Sequence, residues 1–410
     1  MPDLSAARRT LALASLALGT FAIGMTEFVI TGLLPDIARD LAVTIPRAGL
    51  LISGYALSVV IGGPLVTAAV ARRSPKPVLV ALLAFFVAGN ALSALSSAYQ
   101  LMLTGRVVAA LGHGAFIGFA TIVAASLVPP ARRNSAVAAM LSGLTVANVA
   151  GVPLGTLLGQ HFGWRATFWT MAALGLLAAA ATLAALPPSA ATPQSTPPLR
   201  EMVGAFRSRP VWLALIATAL AFGAVYAPFT YVAPLMTDVA GFGRGALPWL
   251  LALFGLGLVI GNVIGARAAD RALHRTLLLA SAGMLLVLIA FAFTSRGAVT
   301  AAVTLFALGV VAYVTVPGLT TNVILSAGDD GRNLLASSAA VSAFNLGNAA
   351  GAYLGGVAIT AGWGYASTPL VGAAMEAAAL IFLAWSAIHA RRALSPTGLV
   401  RHPPEESSES

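Results

Sequence analysis

The sequence predicts an all-α integral membrane protein, with twelve transmembrane helices in two pseudo-symmetric six-helix halves. Three observations carry that expectation. Apolar residues make up 59% of the 410-residue chain and charged residues only 9%, a balance that one soluble core cannot bury. Apolar segments of bilayer-crossing length, roughly 20 residues each, recur along the whole chain. A shift of 199 positions carries Pro35 to Pro234, Gly62 to Gly261, Arg72 to Arg271, Lys76 to Arg275 and the pair Gly163-Trp164 to Gly362-Trp363. These matches fall at corresponding ends of corresponding segments, as internal repeats require.

In chain order the expected spans lie near residues 10–34, 48–70, 77–96, 99–127, 134–160, 164–187, 211–235, 246–266, 276–294, 298–325, 334–360 and 366–390. The first begins in "AARRTLALASLALGT", which has the basic start and apolar run of a signal peptide. Its apolar stretch continues well past a short h-region, so it is expected to stay as an uncleaved first helix. Between the halves, 1–186 and 211–391, the proline-rich stretch 187–210 is expected to be a cytoplasmic linker, and 392–410 a disordered cytoplasmic tail.

The net charge of +10 is a matter of topology. With the N-terminus inside, seventeen of the 23 basic residues fall in cytoplasmic segments and five outside, with Arg106 inside a span. Both termini are therefore expected in the cytoplasm of a bacterial inner membrane, with the lipid bilayer as a partner and no nucleic acid. The absence of cysteine excludes disulfides and thiolate metal sites. No cofactor or metal is expected, and a monomer is.

Three charged residues lie well inside spans: Glu27, Arg106 and Glu376. Such groups cost several kcal/mol unless paired or hydrated, which makes each a functional candidate. Glu27 lies seven residues from the expected outer end of the first span, Leu34, and Arg106 seven from Tyr99. Both are thus about 10 Å deep at 1.5 Å per residue. Burial and a nearby guanidinium act on a carboxylate in opposite senses, so Glu27 can titrate as its surroundings change.

His113 returns to nearly the same face as Arg106, one heptad deeper. It is expected to bridge helices by a hydrogen bond in preference to relaying protons. Tyr226, which stands at the repeat position of Glu27, and Asn148 are further candidates for a substrate cavity. Glu376, in the last span, is expected to be structural or protonated. Small residues every fourth position, as in Gly54-Ser58-Gly62, Gly257-Gly261-Gly265 and Gly347-Gly351-Gly355, are expected to let the halves rock against each other on smooth faces.

No phosphate-cradling loop exists: the single lysine, Lys76, stands in "RRSPKPV". Metalloprotease and serine-hydrolase motifs are absent too, and the five histidines are scattered, so an enzyme is not expected. A channel suits a repeated bundle with glycine seams poorly.

The chain resembles the major facilitator superfamily, and within it the twelve-span drug:proton antiporters. "TEFVITGLLPDIARDL" is similar to that family's first-span motif and "LTGRVVAALGHGAF" to the fourth-span motif built around an arginine. "GLTVANVAGVPLGTLLGQHFGWRATFW" resembles the antiporter motif, carried by Gly143, Gly151, Pro153, Gly155 and Gly159. The first half looks most like chloramphenicol-resistance and arabinose-type efflux proteins.

The resemblance implies that spans one, four, seven and ten line a central cavity, bringing Glu27 and Arg106 to one surface as a proton-coupling pair. It also implies cytoplasmic gating loops around Arg72, Lys76, Asp270, Arg271 and Arg275, although Ala71 replaces the family's aspartate in "VARRSPKPV". The implied function is proton-coupled export of a small neutral or amphipathic molecule, a drug such as chloramphenicol or a sugar, by alternating access. A facilitator or proton-coupled importer of a sugar or nucleoside is the alternative.

Overall fold

The computed structural model describes residues 5–70, 72–187, 208–327 and 333–393. Ala71, nearly all of the expected linker and all but the first two residues of the expected tail lie outside them. The described chain is helical: α1 Ala6–Phe28, α2 Ile30–Asp40, α3 Ile45–Val70, α4 Pro75–Ala94, α5 Tyr99–Leu111, α6 His113–Ser126, α7 Arg133–Val146, α8 Val152–Phe162 and α9 Trp164–Ala185. After residue 207 come α10 Arg209–Phe229, α11 Leu247–Thr294, α12 Ala298–Ala327, α13 Asn333–Ala358 and α14 Thr368–Ala393.

Ten helices among the described residues are long and apolar enough to cross a membrane. The difference from the expected twelve has two sources. The 48-residue α11 covers two expected spans, with a break at Ala272 (φ −157°, ψ 74°). The expected eleventh span is α13, whose first residues adjoin the undescribed 328–332. The count of twelve therefore stays an expectation.

The first span departs from its expected end. It breaks at Val29 and continues as α2 to Asp40, six residues beyond Leu34. The break lies just before Gly32 and Pro35; proline lacks an N–H and crowds the carbonyl four residues earlier. Beyond it α2 is amphipathic, with Leu33, Leu34 and Ile37 buried while Arg39 and Asp40 are exposed. Glu27 thus lies about 20 Å from that helix end. α10 stops in the same way at Phe229, where the Tyr231 N–H bonds back to the Pro228 carbonyl at 3.1 Å.

The sequence repeat places glycines at corresponding turns. That repeat is one of position and not of conformation: Gly163 and Gly362, 199 positions apart, both take positive φ (84° and 86°), which glycine adopts without a Cβ penalty, but their ψ angles are 147° and 7°.

The helices before residue 188 pack mainly on one another, as do those after 207; α3–α13 and α8–α11 are the main contacts between the two groups. The small-residue stripes correct an expectation here, because they lie inside each group. Gly54 and Gly62 face Leu103 and Leu111 of α5, and Gly155 and Gly159 face Met25 and Leu33 of the first span. A Cβ on Gly257 would stand 2.7 Å from the Phe306 carbonyl oxygen of α12, and one on Gly355 would stand 2.8 Å from that of Ala227 in α10. They hold helices of one group together.

Candidate functional site

Arg106 is the largest fully buried side chain, 1% exposed. Its Nη1 donates to the Thr26 carbonyl at 2.9 Å, and its guanidinium lies 4.1 Å over the Tyr55 ring. Cation–π contact of this kind strengthens when desolvated. The contact with Thr26, the neighbour of Glu27, puts Glu27 and Arg106 at one depth, although they lie at different distances from their own helix ends. Among the described residues they form no ion pair; the three ion pairs found all lie near the loops. Arg106 Nε and Nη2 are buried without a hydrogen-bond partner.

Glu27 is instead held from the other helix group: Asn348 Nδ2 on α13 donates to Glu27 Oε1 at 3.1 Å. Tyr55, Tyr226 and Tyr313 lie close enough to feel its charge. Tyr226 is 2% exposed, and its hydroxyl has no partner. Its ring packs against Phe28, Phe222 and Phe229 at 5.6 to 6.0 Å between centroids. A carboxylate, a guanidinium and three phenols thus meet in an aromatic setting where the two helix groups touch. Such a place can bind a small molecule with apolar faces and a few hydrogen-bonding groups.

His113 opens α6 after the break at Gly112, and its Nδ1 lies 3.1 Å from Tyr55 Oη. The imidazole bridges two helices, as expected, and it does so through the same tyrosine that carries Arg106. Asn148 sits apart from this cluster. It belongs to a wide π-helical turn, Ala147–Gly151, and its carbonyl oxygen would lie 2.6 Å from a Cβ on Gly255 of α11. Its side-chain oxygen has no partner.

The antiporter-motif residues form one wall. Gly143 and Gly151 pack on Ala17 and Phe21 of α1, and Gly155 on Met25 and Val29. Gly159 faces Leu33, and Pro153 is buried at the start of α8. They shape the helix beside Glu27 without touching its carboxylate.

The loop residues are not brought together. Lys76 Nζ donates to the Leu186 carbonyl at 2.7 Å, within its own helix group. Arg72, Asp270, Arg271 and Arg275 are exposed, and none enters an ion pair among the described residues.

The opposite end of the bundle, called distal here because it lies away from the N-terminus, is closed. Asp36 accepts from Arg39 at 2.6 Å and from Arg244 of the other group. Gln160 donates to the Arg244 carbonyl at 2.8 Å. Beneath them Tyr231 packs with Leu34, Ala38 and Ala48, and Ser53 Oγ donates to the Ala349 carbonyl at 2.9 Å. These contacts join the two groups at their distal halves.

Tyr55, Asn348 and Tyr313 were not singled out from sequence. Asn348 does carry a signal, a strong hydrogen-bonding group inside an apolar span. Asn90, Asn148, Asn322 and Asn345 carry the same one, and only the packing separates them.

A bundle of membrane-length apolar helices in two groups, with a carboxylate and a guanidinium near their contact, is the architecture of a membrane transporter. The Major Facilitator Superfamily model matches residues 16–334, and the chain belongs to that family of membrane transporters of small molecules. It is 38% identical to the inner membrane transport protein YdhP of Escherichia coli (strain K12), over 92% of this chain and 95% of that one. The putative transporter AraJ of the same strain is 36% identical, covering 95% and 98%. A chloramphenicol resistance protein of Streptomyces lividans is 39% identical, covering 82% and 86%. Among solved structures, a bacterial homologue of the human lysosomal transporter Spinster superposes with a TM-score of 0.70 at 19% identity, covering 94% of this chain and 96% of that one. That likeness speaks for the fold.

Proposed function

We propose that the protein is a proton-coupled exporter of a small neutral or amphipathic molecule, a drug of the chloramphenicol type or a sugar, working by alternating access in a bacterial inner membrane. The observation that carries this reading is Glu27, a membrane-depth carboxylate at the seam between the helix groups, hydrogen-bonded across it. The halves are 1–186 and 211–391, joined by a cytoplasmic linker, and both termini are cytoplasmic. The distal end then faces outward, and the structure is the state closed to the outside.

Substrate binds from inside while Glu27 is ionised. After the seam reopens outward, Glu27 takes a proton, substrate leaves, and the proton is carried in. Moving one charge through the potential supplies about 2.3 kcal/mol per 100 mV. Arg106 stabilises the carboxylate between these steps, and Tyr226 and the neighbouring rings contact the cargo. The antiporter motif and the names of the relatives support the outward direction.

The test is accumulation of labelled chloramphenicol and labelled arabinose in cells expressing wild type or Glu27→Gln, with and without an uncoupler. Lower accumulation of either compound, abolished by both the uncoupler and the substitution, supports proton-driven export. Higher accumulation in wild-type cells overturns the direction and favours an importer.

A further inference from the structure

Three unsatisfied polar atoms surround Glu27, and together they form a pattern. Asn348 uses its Nδ2 on Glu27 Oε1, while its Oδ1 is buried and has no partner. Arg106 Nε and Nη2 are likewise buried without a partner, although a carboxylate stands nearby. Burying polar groups without partners is costly, so such an arrangement calls for a second state in which they are used.

The amide of Asn348 offers one donor and one acceptor side by side. That matches a protonated carboxyl, which has one acceptor and one O–H; a carboxylate has only acceptors. Arg106 offers donors alone, which matches the carboxylate.

We infer that Asn348 is a positioning residue that makes distal closure depend on a proton at Glu27. Before it releases its proton to the inside and binds substrate, the empty distal-closed state holds that proton on Glu27. Its carbonyl oxygen accepts from Asn348 Nδ2, and its O–H donates to Asn348 Oδ1. When the distal seam opens, α13 withdraws. In the outward-open state Glu27 takes its proton from water; whenever it is ionised it turns to Arg106 Nε and Nη2. The exchange balances: one O–H bond at Glu27 forms or breaks against one at water. The distal-closed form with an empty cargo site is thereby reached only with a proton on board, which suppresses a futile return. This rests on Glu27 being the coupling group.

The titratable and charged groups facing Glu27 are Arg106 from α5, Tyr55 from α3, Tyr226 from α10 and Tyr313 from α12. His113 on α6 lies beyond Tyr55. The only other carboxylate well inside the spans is Glu376, and no element packed against Glu27 brings a second acid to it among the described residues.

The chain has no cysteine, so spin labels at Thr44→Cys and Thr360→Cys, exposed positions at the distal ends of the α3–α13 seam, report distal opening alone. Their separation is measured by electron–electron resonance in lipid nanodiscs without substrate. From about pH 8 to about pH 5.5 the short-distance population of wild type should grow about threefold or more. Glu27→Gln should show the short distance at both pH values, because its amide can pair with Asn348 uncharged. Asn348→Leu should flatten the pH response and favour the long distance, and Asn348→Ser, which keeps one donor and acceptor, should restore part of it.

Monodisperse elution of each variant separates these effects from misfolding, and Asn348→Ser provides the second arm should the leucine variant fail to fold. Any pH response in Asn348→Leu, or one of full wild-type size in Asn348→Ser, overturns the inference, as does a wild type with no pH response. Failure of the underlying reading looks different: uncoupler-sensitive transport would then be unaltered in Glu27→Gln.

Discussion

Among the described residues Glu27, partly buried, and Glu376, fully buried, are the two carboxylates at membrane depth, and their surroundings could hardly differ more. Glu27 lies where two helix groups meet, beside Arg106 and three tyrosines, and its hydrogen bond crosses from one group to the other. Glu376 is 0% exposed on α14, within a single group, and neither of its oxygens has a well-formed hydrogen bond. Ser281 of α11 is beside it, and no cation pairs with it among the described residues. The intrinsic cost of the two groups is alike. What separates them is position relative to a seam that can move: only Glu27 exchanges partners when the seam opens.

The largest contrast should appear in transport. Glu27→Gln is expected to cut uncoupler-sensitive export by about tenfold or more, whereas Glu376→Gln should stay within about twofold of wild type. Assay of both in the same vesicles checks this, and equal losses would erase the distinction.

Arg106→Lys comes next. The ammonium keeps the charge but cannot both reach the Thr26 carbonyl and lie flat over Tyr55, so export should fall several-fold with the protein still folded. Undiminished export would mean that the guanidinium geometry is dispensable.

Stability sharpens the comparison from the other side. Glu376→Met replaces an unsatisfied buried acid with an apolar chain of similar size, which should be neutral or stabilising by about 1–4 kcal/mol. A raised melting temperature with transport kept is the expected result; loss of transport would make Glu376 a second functional carboxylate.

The smallest effect belongs to the distal ion pair. The Arg244 side chain is 52% exposed, and exposed pairs contribute about 0–1 kcal/mol. Arg244→Gln should shift the distal distance distribution by no more than about fivefold, with the shift fading at high salt.

Much of this was legible in the sequence. Glu27 and Arg106 stand out as charges inside apolar runs, and the 199-residue shift pairs Gly163 with Gly362, both of which stand at turns. Counting in from Tyr99 held for Arg106. On the other side the count from Leu34 was wrong, because amphipathic α2 prolongs the helix through charged residues that hydropathy takes for a loop. The partner of Glu27 was hidden for another reason. Asn348 is 321 positions away, and one asparagine among several on apolar helices shows its direction only after packing. The stripes were misassigned because spacing reveals that a helix is approached closely, and does not reveal by which neighbour.

That reassignment of the stripes has a consequence for how the molecule can change over evolutionary time. Backbone-to-backbone packing inside each group leaves no room for added atoms, so the frame tolerates little substitution there. The aromatic wall around Tyr226 is built from interchangeable side chains instead. On the function proposed above, a lineage would alter its cargo through a few wall residues while the packed frame passes unchanged to its descendants.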